Sequence, residues 1–122
     1  MLGYWARRYG VSPPLVRAVA WMESGFHWNV TSATGAWGAM QVMPATWRFV
    51  EDVLTGRDYR RSARGGIRVG VLYLRYLLRE FGGNRRLALA AYYQGPSAVR
   101  RHGLYRETRV YVRGVLALRS RF

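Results

Sequence analysis

The chain has 122 residues, with 20 Lys or Arg against 6 Asp or Glu and a formal net charge of +14 at neutral pH; that length makes one domain with its own core, residues 1–122. Without cysteine there are no disulfides and no thiolate metal sites, and with His27 and His102 far apart no metal or other cofactor is expected. No stretch approaches the roughly 18 apolar residues of a membrane span, and the start, MLGYWARRYGVSPP, lacks the apolar run of a secretory signal.

Taken in chain order, the pattern is helical almost throughout. Leu2–Tyr9 reads as a short helix stopped by Gly10. Ser12 then stands at an N-cap with Pro13 at the first helical position, opening a helix to about Glu23 whose apolar face holds Leu15, Ala18, Val19 and Met22. Residues 24–37 are rich in Gly, Ser, Thr and Asn and read as loop. A helical turn is expected over Ala39–Met43, and a helix opening at Pro44 runs to about Leu54.

After a polar connector, Ser62 to Phe81 forms the longest helix. Arg64, Arg68, Arg75 and Arg79 share one narrow face, and Ile67, Val69, Val71, Leu72, Tyr73, Leu74, Leu77 and Leu78 cover the other directions, so this helix is expected to be largely buried. Asn84 caps the next helix, through Tyr92 or Tyr93, and Gly95-Pro96 breaks it. A short turn at Ser97–Arg101 and a last helix from Glu107 to about Leu118 complete an all-α domain; no strand pattern or repeat is present.

The charge is lopsided. All the basic residues are arginine; residues 1–56 carry four against three acids, a net of +1, and residues 57–122 carry sixteen against three, a net of +13. Such a field attracts polyanions, or the arginines are solvated surface supplied by codon usage; the absence of lysine favours the second source. Nucleic acid is not expected as the main partner, because no basic-aromatic ladder is present.

Chemistry concentrates in ESGFHWNVTSATGAWGAMQVMPATW, residues 23–47. Glu23 sits at a helix C-terminus, where the dipole disfavours a carboxylate, among Trp21, Phe26 and Trp28, which can exclude water. Both effects raise a carboxyl pKa toward the range of a general acid. Standing alone, Glu23 reads more readily as a surface residue at a helix end than as a catalyst.

The stretch resembles the signature of the soluble lytic transglycosylase family, relatives of goose-type lysozymes that cleave peptidoglycan. The family's E-S-x-F, its serine nine residues after the glutamate, G-A-x-G-L-M-Q and M-P-x-T are met by Glu23, Ser24, Phe26, Ser32, Gly35, Ala36, Gly38, Met40, Gln41, Met43, Pro44 and Thr46. GIRVGVLYLRYLLREFGG is similar to its buried central helix, ALAAYYQGPSAV to its A-L-A-A-Y-N-A-G-P motif, and ETRVYV to its E-T-x-x-Y-V. The resemblance covers about residues 11 to 120. Departures are Ala39 for the usual leucine, Gly66 for asparagine, Tyr93-Gln94 for Asn-Ala, and Trp28 for proline.

The resemblance implies a lysozyme-like fold, several helices around a buried central helix beside a substrate groove. It implies cleavage of the MurNAc–GlcNAc β-1,4 bond to a 1,6-anhydromuramoyl product, with Glu23 the one catalytic acid and base and the substrate's N-acetyl group in place of a second carboxylate. Ser32, Gln41, Met43, Tyr92 and Glu107 carry over as substrate-binding residues. In that scheme the Tyr92 hydroxyl approaches Glu23 or the N-acetyl group, and Tyr93 is a second candidate. Met43 and Tyr111 are read as core or site, Trp37 and Trp47 as core or sugar platforms, and Ser24 as a helix-end cap in preference to a substrate contact. A lysozyme-type hydrolase with the same Glu23, or a binding module, are the alternatives. The implied partners are peptidoglycan strands, with anionic wall polymers as a further possibility; the protein is expected to be a monomer acting outside the cytoplasm. A signal already removed, a longer parent chain and another export route remain equally open.

Overall fold

The computed structural model describes residues 1–122. It contains seven α-helices and no β-strand: α1 Leu2–Arg8, α2 Pro13–Ser24, α3 Pro44–Phe49, α4 Ala63–Glu80, α5 Arg85–Gln94, α6 Pro96–His102 and α7 Arg106–Arg119. The fold is the all-α arrangement expected from the sequence. No helix is long and apolar enough to cross a membrane.

The longer helices begin where the sequence places their caps. The Ser62 hydroxyl accepts from Gly65 N (3.0 Å) and Asn84 Oδ1 from Leu87 N (3.0 Å), each satisfying an otherwise orphaned donor. Ser12 occupies the cap position of α2, but its side chain makes no capping bond. Beyond Phe49 the helix widens into a π-helical segment, Val50–Thr55. There Glu51 accepts from Tyr59 N (2.8 Å) and Trp47 Nε1 (3.3 Å), so this carboxylate anchors the following connector.

One local expectation is corrected. Ala39–Met43 is not a helical turn: Trp37 and Val42 exchange backbone hydrogen bonds at 2.9 and 3.0 Å and form an isolated antiparallel bridge. The chain reverses between them because tertiary contacts hold this loop. Ser24, at the end of α2, donates to the carbonyl of Ala39 (2.7 Å). On the other side Gly38 lies on Gly66 of α4: a Cβ on either would meet the other's Cα at 3.5–3.6 Å. A side chain at position 66 would press on this loop and on the Trp37 ring.

α4 is the central helix. Ile67, Val69, Val71, Leu72, Leu74 and Leu77 are buried in one continuous core with Leu15, Val19, Trp47, Val50 and Leu89, each large side chain contributing about 1.5–3 kcal/mol by leaving water. Helix α4 packs on α1 and α5, and α7 packs across α2 and α5. Met22, placed by its spacing with the core of α2, is instead exposed. Trp47 is core, only 2% exposed.

The arginine face of α4 is partly structural. Arg68 donates to the Tyr9 hydroxyl (2.9 Å) and lies over the Trp5 ring at 4.4 Å, while Arg75 lies over Tyr9 at 5.5 Å. These cation–π contacts join α1 to α4. The single salt bridge is Arg100–Glu80, on the surface at 3.2 Å.

Candidate active site

Glu23 is the penultimate residue of α2, on the turn that faces α7. Its Oε2 accepts from the hydroxyl of Tyr111 on α7 at 2.8 Å. Oε1 has no partner within the chain, yet no buried polar side-chain atom is left unsatisfied; Oε1 therefore opens on the surface. The opening is a groove of about 520 Å³ lined by Met22, Glu23, Tyr93, Arg106, Glu107, Val110 and Tyr111.

Burial raises the Glu23 carboxyl from 4.5 to about 7, and the Tyr111 hydrogen bond, which favours the charged form, offsets part of that rise. The aromatics that shield it are not those nearest in sequence. Trp21 packs edge-on to Phe26 at 5.3 Å, and Phe26 and Trp28 line a separate crevice with Leu2 and Phe122. The wall beside Glu23 comes from α5 and α7: Tyr93 stacks on Tyr111 with centroids 4.6 Å apart at 24°. Tyr111 is itself buried and its phenol is held well above its usual range, by desolvation first and then by the charge of Glu23.

The hydroxyl bonded to Glu23 is that of Tyr111, not that of Tyr92. The Tyr92 hydroxyl donates to the carbonyl of Met40 at 2.7 Å, tying α5 to the loop. Tyr92 still feels the Glu23 charge, but the hydrogen bond to the carboxylate belongs to Tyr111, which is buried and also lines the groove. Tyr93, the second candidate, lines the groove.

Ser32 and Gln41 shape the loop that follows α2. Ser32 Oγ accepts from Ala36 N (3.0 Å) and contacts the Thr34 hydroxyl (3.1 Å); it makes no hydrogen bond to Glu23. Gln41 adopts φ 50°, an uncommon backbone for a side chain of this size. Its Nε2 donates to Gly38 O (2.9 Å) and Val30 O (3.2 Å), leaving the amide oxygen as the free end. Met43 is 41% exposed and so is not core; its sulfur accepts from Thr34 Oγ1 at 3.7 Å. Ser24 closes the end of α2, accepting from His27 N (3.1 Å) besides its bond to Ala39. Trp37 donates to Ser62 O (3.3 Å). Ala39 is fully buried.

Glu107 lies in the first turn of α7 and lines the groove. Arg106, Val110 and Met22, which no motif singled out, line it too. Their signal was the spacing 106/107, 110/111, one helix face, with an apolar residue left exposed on it. Gln94 is a second feature missed. It donates to Gly103 O (2.8 Å) and accepts from Tyr105 N (3.1 Å) and Thr108 Oγ1 (2.6 Å), fixing the start of α7 to the end of α5.

A helical domain that delivers one shielded, proton-holding carboxyl into an open groove has the layout of a lysozyme-like acid–base site. Residues 1–111 match the model of the Transglycosylase SLT domain, and the chain belongs to that family. The match reaches further toward the N-terminus than the motifs do. Among curated relatives, the soluble lytic murein transglycosylase of Salmonella typhimurium is 36% identical over 101 residues, 79% of this chain and 16% of that protein. The protein of that name from Escherichia coli K12 is 35% identical over 88 residues, 68% of this chain and 14% of that protein. The chain thus spans less than a fifth of the length of these relatives.

Solved structures agree. The lytic transglycosylase Slt of Pseudomonas aeruginosa, in an inactive glutamate-to-glutamine mutant, superposes with a TM-score of 0.85 at 30% identity, over 97% of this chain and 22% of that one. A complex of the 70-kDa soluble lytic transglycosylase with bulgecin A gives 0.87 at 27% identity, over 98% of this chain and 23% of that one.

Proposed function

We propose that this domain, residues 1–122, is a peptidoglycan lytic transglycosylase acting on the MurNAc–GlcNAc β-1,4 bond, with Glu23 as its one acid and base. The observation that carries the reading is the state of Glu23: shielded, raised to about 7, oriented by Tyr111 and open through Oε1 to the groove.

Protonated Glu23 donates to the glycosidic oxygen as the C1–O bond breaks, and the N-acetyl carbonyl of the muramoyl residue shares the charge at C1. The resulting carboxylate takes the proton of the C6 hydroxyl, whose oxygen closes on C1. The products are a new GlcNAc 4-hydroxyl and a 1,6-anhydromuramoyl end; Glu23 is again protonated and no water enters. A carboxyl near neutral pKa suits both transfers. Of the other five acids only Glu107 lines the groove, and its part is to orient groups rather than to react.

Gln41 is assigned to accept from a sugar hydroxyl or amide through its free oxygen, Met43 to pack against an apolar sugar face, and Ser32 to hold the loop under the N-acetyl group. Tyr92 positions that loop through Met40. The setting is the cell envelope, outside the cytoplasm, and the protein acts as a monomer. Anionic wall polymers are a second partner for the exposed arginines. The test is Glu23→Gln: the fold is kept and nearly all wall-cleaving activity is lost. Retention of more than a few per cent of turnover would refute the role of Glu23.

A further inference from the structure

The groove over Glu23 contains one cation, Arg106. It is the first residue of α7, is exposed, and lies outside every motif that the family resemblance covers. It makes no salt bridge with Glu107 beside it or with Glu23; the chain's one ion pair is elsewhere. No side chain caps α7, so the positive end of a 14-residue helix adds to the guanidinium field. Around them the lining is Met22, Val110 and the rings of Tyr93 and Tyr111, which lower the local dielectric and strengthen an ionic hydrogen bond.

A neutral sugar gives an unpaired guanidinium nothing to neutralise. A peptidoglycan strand does: its stem peptides carry free carboxylates, while the lactyl group that bears them is an uncharged amide. Two acids in the same groove, Glu107 and ionised Glu23, would repel such a stem. Arg106 is the group that can offset this, with a planar fork matched to a carboxylate.

Resting on the reading of the domain as a peptidoglycan-cleaving enzyme, we propose that Arg106 forms a carboxylate subsite that binds the stem peptide of the strand being cleaved and sets preference for peptide-bearing over uncharged glycan. It is a binding residue and takes no part in proton transfer.

The test uses soluble peptide-bearing strands and the same strands with stem carboxylates converted to methylamides. Wild-type protein is expected to show a KM about tenfold lower on the acid strands, the scale of one ionic hydrogen bond. In Arg106→Gln the ratio of the two KM values collapses toward one, and Arg106→Lys, which keeps the charge without the fork, gives an intermediate ratio. The same ordering is expected for binding of the acid strands to each variant combined with Glu23→Gln. An unchanged ratio in Arg106→Gln, or equal losses on both strands, overturns the subsite. If wild-type protein forms no anhydro product from either strand, it is the enzymatic reading that fails, and the binding measurement still decides the subsite.

Discussion

Tyr111 donates its hydroxyl proton to Oε2 of Glu23 at 2.8 Å, across 88 residues of chain. This bond fixes the carboxyl's direction and restrains its pKa, because it favours the charged form while burial opposes it. Tyr111→Phe should therefore move the Glu23 ionisation above about 7 and slow turnover by about tenfold to a hundredfold, the worth of a hydrogen bond to a charged group. A pH–rate profile checks both. An alkaline limb that stays put or moves down would contradict the assignment.

The same carboxyl links stability to pH. Its folded value, about 7, exceeds the ordinary 4.5, so the folded protein binds this proton more tightly than the unfolded chain. That contribution is fully present below about pH 4.5 and is lost as pH rises through about 7. The gap corresponds to about 3 kcal/mol. Glu23→Gln, which does not titrate, should be more stable than wild type at pH 8 by an amount of that order, with the difference shrinking toward pH 4. Denaturant melts at several pH values measure it.

Gln94 stands where the family has alanine, and it makes two hydrogen bonds to the start of α7 and one to Gly103 at the end of α6. One partner, Thr108, is fully buried. Gln94→Ala leaves that hydroxyl unpaired and should cost about 1–3 kcal/mol. Because α7 carries Arg106, Glu107 and Tyr111, the variant should also raise KM. A fall in melting temperature without any change in KM would show that the bridge serves the fold alone.

Gly70, in the middle of α4, faces the Met40 side chain so closely that an added Cβ would lie 2.6 Å from its sulfur. Gly70→Ala overpacks this contact at about 1–3 kcal/mol. It should also displace Met40, whose carbonyl holds Tyr92, and so lower activity at temperatures where the variant is still folded. Circular dichroism melts and activity at low temperature separate the two effects.

Most arginines have no carboxylate within salt-bridge range. If they hold the protein on anionic wall polymers, added salt should weaken binding to whole wall far more than it slows cleavage of short soluble glycans. Equal effects on both would leave the arginines as solvated surface and as packing for Trp5 and Tyr9.

Helix positions were legible because caps and breakers are local: Pro13, Ser62, Asn84 and Gly95-Pro96 act within a turn of themselves. The reversal at Trp37–Val42 was not, because it depends on Ser24 and Gly66, which reach it only in the folded chain. The shielded carboxyl was legible through the motif around Glu23, but its hydrogen-bond partner was not. With nine tyrosines, spacing cannot rank Tyr92 against Tyr111; the docking of α7 on α2 decides it. For the same reason the residues that exclude water from Glu23 are not the sequence-adjacent Trp21, Phe26 and Trp28.

In the proposed reaction one carboxyl suffices because the substrate's own 6-hydroxyl closes it. Mass spectrometry of purified wall digested by the domain tests it directly. Muropeptides lighter by one water than hydrolysis products are expected, and none from Glu23→Gln. Products carrying the added water, from an otherwise active protein, would contradict it.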